Sequence, residues 1–200
     1  MTSLVRRKAP GFTAPAAMPD DTIRQDFALG ELEGRYVVLL FYPMDFSFVC
    51  PSEILAMDAR LEEFRKRDCS VMAISVDSVY SHLAWKKTPV DEGGIGPVQF
   101  PLVSDLTKKI SRDYGVLVDD AVALRATFLL DRAGVVRHAV INDMDIGRSI
   151  DETLRTLDAL RHFENTGELC PANWEKGKGA MQGTPAGVKK YLKDLKLGTR

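Results

Sequence analysis

The residues of this chain best suited to chemistry lie in one stretch, Phe41-Tyr42-Pro43-Met44-Asp45-Phe46-Ser47-Phe48-Val49-Cys50-Pro51-Ser52-Glu53. A cysteine is a nucleophile when ionised, and cations and helix N-termini favour the ionised form. Cys50 has the local setting for this. A β-branched and aromatic run, Tyr36 to Tyr42, ends against Pro43, and an apolar pattern of helical period starts beyond Pro51. Cys50 therefore falls where a strand hands over to a helix. Proline is tolerated in a first helical turn, and the free N–H groups of that turn are expected to face the sulfur. Ser47 offers a hydroxyl on the same side, and Glu53 a carboxylate one turn on.

The elements that must position these groups follow from periodicity and punctuation. Leu4 to Gly34 is broken by Pro10, Gly11, Pro15, Pro19, Gly30 and Gly34 and reads as short strands and turns. Tyr36 to Tyr42 is apolar almost throughout, which predicts a strand buried on both faces. Ile54, Met57, Leu61 and Phe64 then mark one face of an amphipathic helix. Ser70 to Asp77 is a second buried strand, and Ser78 caps a helix that ends before Pro89. Asp91 to Pro101 is a loop. Ser104 reads as the N-cap of a short helix carrying Leu106 and Ile110, stopped by Gly115. Ala126 to Asp131 and Val135 to Ile141 form a hairpin through Arg132-Ala133-Gly134. Ser149-x-x-Glu152 opens the last core helix, with Ile150, Leu154, Leu157, Leu160 and Phe163 on one face.

This order, β-α-β-α-(insert)-β-β-α, requires a right-handed parallel crossover followed by antiparallel strands in the same sheet. The fold class is α/β and thioredoxin-like, a central mixed sheet flanked by helices. In that topology the strand from Ala126 lies antiparallel beside the strand ending at Tyr42, so Arg125 falls at the sheet edge that carries Cys50. The strand Val135 to Ile141 runs back and delivers Arg148 to the same edge. A permanently charged guanidinium stabilises a thiolate, and its fork of donors suits a pair of oxygen acceptors.

Pro43, Ser47 and Cys50 fit P-x-x-x-[ST]-x-x-C, and FYPMDFSFVCPSE resembles the active-site segment of the peroxiredoxins. LRATFLLD and DIGRS are similar to the family's two arginine-bearing segments, and ELCPANW resembles the V-C-P-A-x-W segment of typical 2-Cys peroxiredoxins. The likeness runs from about Pro10 to the end of the chain. It implies that Cys50 is a peroxidatic cysteine that becomes a sulfenic acid, with Pro43, Ser47, Glu53, Arg125 and Arg148 around it. Cys170 is implied to be the resolving cysteine, which condenses with that sulfenic acid to a disulfide. Cys69 precedes a buried strand and is read as structural.

The resemblance further implies reduction of hydrogen peroxide or an alkyl hydroperoxide without metal or flavin, with thioredoxin or a similar dithiol protein as reductant. It implies a homodimer, and rings of five dimers. The division expected is a peroxidase domain over residues 1–164, with an N-terminal extension over about 1–34, and a C-terminal arm over 165–200. A redox relay or chaperone holdase on the same scaffold is the alternative. A disulfide reductase would need C-x-x-C, where this sequence reads Ser47-x-x-Cys50. Relatives prone to hyperoxidation pair a G-G-[LVI]-G loop with a C-terminal Tyr-Phe helix. Gly93-Gly94-Ile95-Gly96 is present here, but Tyr191 is followed by Leu192, so intermediate sensitivity is expected.

The remaining features exclude more than they add. With 27 basic against 28 acidic residues, the formal charge of -1 gives no basis for nucleic-acid binding. No stretch approaches transmembrane length, and the basic N-terminus lacks an apolar region behind it, so a cytoplasmic protein is expected. His82, His138 and His162 show no metal-ligand spacing and are assigned surface or helix-terminal roles. Trp85 and Trp174 are read as packing residues.

Overall fold

A computed structural model describes residues 3–195. Two compact units emerge, Met1–Ile150 and Asp151–Arg200. The first is built on a seven-stranded mixed sheet in the order β2-β1-β5-β4-β3-β8-β9. Its strands are β1 (Thr13–Ala17), β2 (Ile23–Ala28), β3 (Tyr36–Phe41), β4 (Cys69–Ser75), β5 (Leu102–Ser104), β8 (Arg125–Leu130) and β9 (Val136–Asn142). A separate two-stranded ribbon joins β6 (Leu117–Val118) to β7 (Val122–Ala123).

The middle of the sheet follows from the sequence. Every residue of β3 and of β8 is buried, as expected for strands covered on both faces. β3 pairs parallel with β4 and antiparallel with β8, with Phe41 opposite Ala126. That register places Arg125, the first residue of β8, level with the end of β3. Phe41, Tyr114 and Phe128 pack their rings within 5.0 to 5.7 Å of one another in the core beneath.

Among the described residues four α-helices belong to this unit: α1 (Cys50–Ala59), α2 (Leu61–Arg65), α3 (Val79–Lys87) and α4 (Lys109–Asp113). The single helix expected after Pro51 is divided at Arg60, which has φ −103° and ψ 0°. Its apolar face persists across the break, with Ile54, Met57, Leu61 and Phe64 all buried. Ser78 caps α3 by accepting from the amide of Ser81.

Two sequence expectations are corrected around Ser104. Leu102–Ser104, directly after the expected loop, is a third parallel strand, where Ser104 was expected to be an N-cap. The neighbouring Asp105 does the capping instead: its two carboxylate oxygens accept from the amides of Ile110 and Ser111 at 2.9 and 2.7 Å. Leu106 consequently lies outside the helix and is exposed. Gly115 ends α4 at φ +68°, as its position predicts.

The second unit contains α5 (Ile150–Thr166) from its second residue onward and α6 (Pro185–Asp194). Leu154, Leu157 and Leu160 of α5 are buried, whereas Phe163 is 40% exposed. Between the helices the chain makes a loop closed by reciprocal backbone hydrogen bonds of Leu169 and Met181, at 2.8 and 3.0 Å. Thr184 caps α6 by accepting from the amide of Gly187. No helix among the described residues is long and apolar enough to cross a membrane.

Candidate active site

Cys50 is the first residue of α1 and is fully buried. Between β3 and α1 the chain turns through residues 43 to 49, reversing at Phe46 in the left-handed region at φ +52°. The loop is anchored on its inner side. Asp45, buried, accepts from the Tyr42 hydroxyl at 2.7 Å, faces His82 Nδ1 at 2.9 Å, and is tied by its own amide to Asp77 at 2.9 Å. The second ring nitrogen of His82 faces the Val103 carbonyl at 3.3 Å. His82 is therefore a fully buried residue that fastens α3 to the cysteine loop, and its expected surface role is corrected. Its sequence context gave no sign of this, because the partner is 37 residues away.

Four of the expected site residues converge. Arg125 Nη1 donates to Cys50 Sγ at 3.1 Å and to Glu53 Oε2 at 2.9 Å. Its Nε donates to the Met144 carbonyl, which fixes the plane of the guanidinium. Glu53 is clasped from the other side by Arg148, whose Nε and Nη2 donate to the two carboxylate oxygens at 2.9 and 2.8 Å. The Arg148 amide adds a bond to Oε1 at 2.8 Å, and its Nη1 reaches the Ala126 carbonyl at 2.7 Å. The chain thus links sulfur, guanidinium, carboxylate and second guanidinium in one buried row.

The electrostatics follow from this row. Burial acts to raise the Glu53 carboxyl, but hydrogen bonds from Arg148 and the charges of both arginines outweigh it and hold the group below the ordinary carboxylate value. Burial likewise works against the charge on Arg125, and attraction to Cys50 and Glu53 reverses it, so this guanidinium is held still more firmly protonated. Negative charge on the Cys50 sulfur has a permanent counter-charge at hydrogen-bond distance.

Pro43 is buried where β3 ends. The Ser47 hydroxyl donates to the Met44 carbonyl at 2.9 Å. The amides of Ser52 and Glu53 donate to the Val49 carbonyl, so the expectation that first-turn N–H groups face the sulfur is replaced by the contact from Arg125. Cys69 is buried at the start of β4. In the second unit Cys170 is partly buried and its thiol donates to the Ala159 carbonyl at 3.4 Å. No group of three or more potential ligands able to hold a metal ion occurs among the described residues.

Comparison with known proteins meets this geometry. The model of the AhpC/TSA family matches residues 5–139. The chain belongs to the AhpC/TSA family of peroxiredoxins. A second model, the C-terminal domain of 1-Cys peroxiredoxin, matches residues 159–194. Alkyl hydroperoxide reductase C of Helicobacter pylori is 51% identical over 96% of this chain and 97% of its own length. A chloroplastic 2-Cys peroxiredoxin of Hordeum vulgare is 48% identical over 94% and 90%. The reduced 2-Cys peroxiredoxin of Plasmodium vivax superposes with a TM-score of 0.94 at 49% identity, covering 96% of this chain and all of that one. The thioredoxin-like fold and peroxiredoxin class expected from the sequence are those of its relatives.

Proposed function

We propose that this peroxiredoxin reduces hydrogen peroxide and organic hydroperoxides through a sulfenic acid on Cys50, which Cys170 resolves into a disulfide. The observation that carries the reading is the buried Cys50 sulfur held 3.1 Å from Arg125 Nη1, with Arg125 oriented by Glu53 and Met144. The Cys50 thiolate attacks one peroxide oxygen, the O–O bond breaks, and the departing oxygen takes up a proton to leave as water or an alcohol. Charge moves from sulfur to that oxygen during the step, and a guanidinium beside both stabilises it. Arg148 holds Glu53 so that Arg125 keeps its orientation. The Ser47 hydroxyl, whose hydrogen is engaged by the Met44 carbonyl, presents lone pairs to an incoming peroxide O–H. The resemblance assigns Pro43, buried just beyond β3, to the same site.

Cys170 thiolate then attacks the Cys50 sulfenic sulfur. The S–S bond forms, and hydroxide leaves to become water. A thioredoxin-type or flavoprotein dithiol reduces the disulfide, and a reducing, cytoplasmic location fits this cycle. The pairing is read as intersubunit, in a homodimer that assembles into a decamer. Two features support a multi-subunit form: β9 is an edge strand, and Phe48 and Ile146, which flank the site, are 100% and 61% exposed in the single chain. The test is a non-reducing denaturing gel after one equivalent of peroxide, run beside turnover with alternative reductants. A covalent dimer that disappears in Cys170→Ser is expected. An oxidised protein that stays monomeric would contradict the intersubunit bond.

A further inference from the structure

The segment that carries Cys170 holds a carboxylate whose place the reaction described above does not use. Glu168 lies two residues before Cys170 in an extended stretch, where alternate side chains share a face. Its carboxylate is fixed from two sides: His162 Nε2 stands 3.1 Å from Oε2, and Gln182 Nε2 donates to Oε1 at 3.1 Å. The Gln182 contact spans the neck of the loop, beside the reciprocal Leu169 and Met181 backbone pair, and the His162 contact ties the same carboxylate to α5. The His162 ring is itself packed on Trp174, centroids 4.9 Å apart, and Trp174 is buried with its carbonyl accepting from Arg155 Nη1 at 2.7 Å. A side chain held at both oxygens cannot swing its charge away from the cysteine.

We propose that Glu168 is a positioning residue for the resolving step, a fixed negative charge that keeps Cys170 protonated and in place until the Cys170 loop opens. The inference rests on the reading of Cys170 as the resolving cysteine.

The charges that face Cys170 are Arg155 from α5 and Glu168 from its own segment; His162 reaches the thiol only through Glu168. Burial pushes the Cys170 thiol up, Arg155 draws it down, and Glu168 adds to the upward displacement. Arg155 is partly occupied elsewhere, bidentate to Glu152 and facing Glu175. A thiol donating to the Ala159 carbonyl is the resting form that this balance favours. Opening the neck between Glu168 and Gln182 frees the segment to move, separates the carboxylate from its holders and exposes the thiol to water. Release of the carboxylate and hydration of the thiol both favour the thiolate that attacks sulfenic sulfur.

The experiment isolates Cys170 chemically. In full-length protein carrying Cys50→Ser and Cys69→Ser, the pH profile of iodoacetamide alkylation reports Cys170 alone. Glu168→Gln retains shape and one acceptor oxygen for Gln182, turns the other oxygen into a donor toward the His162 ring, and removes the charge. Its profile is expected at lower pH than the parent's, with alkylation about threefold faster on the rising limb, as for removal of one partly solvated neighbouring charge. Glu168→Asp restores the charge and should return the profile toward the parent's. Coincident profiles for Glu168 and Glu168→Gln overturn the proposal, as does an equal displacement by Gln and Asp. The alkylation arm holds whether or not Cys170 resolves Cys50. In protein with all three cysteines, Glu168→Gln should also speed disulfide formation after a peroxide pulse. Faster alkylation without any disulfide would refute the resolving role instead.

Discussion

Replacing Arg125 by lysine probes the row of buried groups at its centre. Lysine keeps a positive charge but has one nitrogen, so it cannot hold Cys50, Glu53 and the Met144 carbonyl together as Nη1 and Nε of Arg125 do. The loss that matters for rate is one charge-assisted hydrogen bond to the reacting sulfur, worth about 1.5–3 kcal/mol. At about 1.4 kcal/mol per factor of ten, the peroxide step should slow by roughly 10- to 150-fold. Stopped-flow mixing of the reduced variant with peroxide, followed by tryptophan fluorescence, gives the second-order rate constant directly. Circular dichroism must first establish that the fold is retained. A rate within about threefold of the parent's would refute the argument that geometry, and not charge alone, makes this residue effective.

Arg148→Lys should affect that rate less, because Arg148 touches Glu53 and not the sulfur, and should instead lower stability by about 1–3 kcal/mol through buried acceptors left unpaired at Glu53 and Ala126. Thermal unfolding beside peroxide kinetics separates the two effects. Glu53 has its folded pKa below the ordinary carboxylate value of about 4.3, so its ion pairs add stability above that pH, and the contribution is lost as pH falls through the folded value. The stability gap between the parent and Glu53→Gln should therefore narrow on acidification in urea titrations, and a constant gap would contradict it. Deleting the chain from Pro185, which removes α6, should make disulfide formation faster and Cys50 sulfinic acid rarer across a peroxide series. Equal sulfinic fractions by mass spectrometry would remove the tail from control of the site.

What was legible in the sequence was mostly local. The buried strands Tyr36–Phe41 and Cys69–Ser75 announce themselves by continuous apolar runs, and Ser78 and Gly115 by cap chemistry. Arg125 and Arg148 were placed at the Cys50 edge by topology, and the distances agree with that placement. Other features were hidden because they depend on partners far apart in the chain. Three-residue β5 is too short for a periodic signal, and its neighbour Asp105 caps from outside the expected frame. A lone histidine gives no sign that it is buried. His82 became legible only when Asp45, Tyr42 and Val103 were seen around it. The clasp of Glu168 by His162 and Gln182 likewise joins groups 6 and 14 residues apart through a loop whose closure no local pattern encodes.

The central claim is that the Cys50 sulfur is the atom a peroxide oxidises. Its most direct test is peptide-resolved mass spectrometry of the Cys170→Ser protein, quenched with a sulfenic-acid trap after one equivalent of hydrogen peroxide. The account predicts one trapped sulfenic acid, on the peptide containing Cys50, with Cys69 still reduced, and none in the Cys50→Ser, Cys170→Ser double variant. Trapping on Cys69, or peroxide consumption that continues without Cys50, would contradict it.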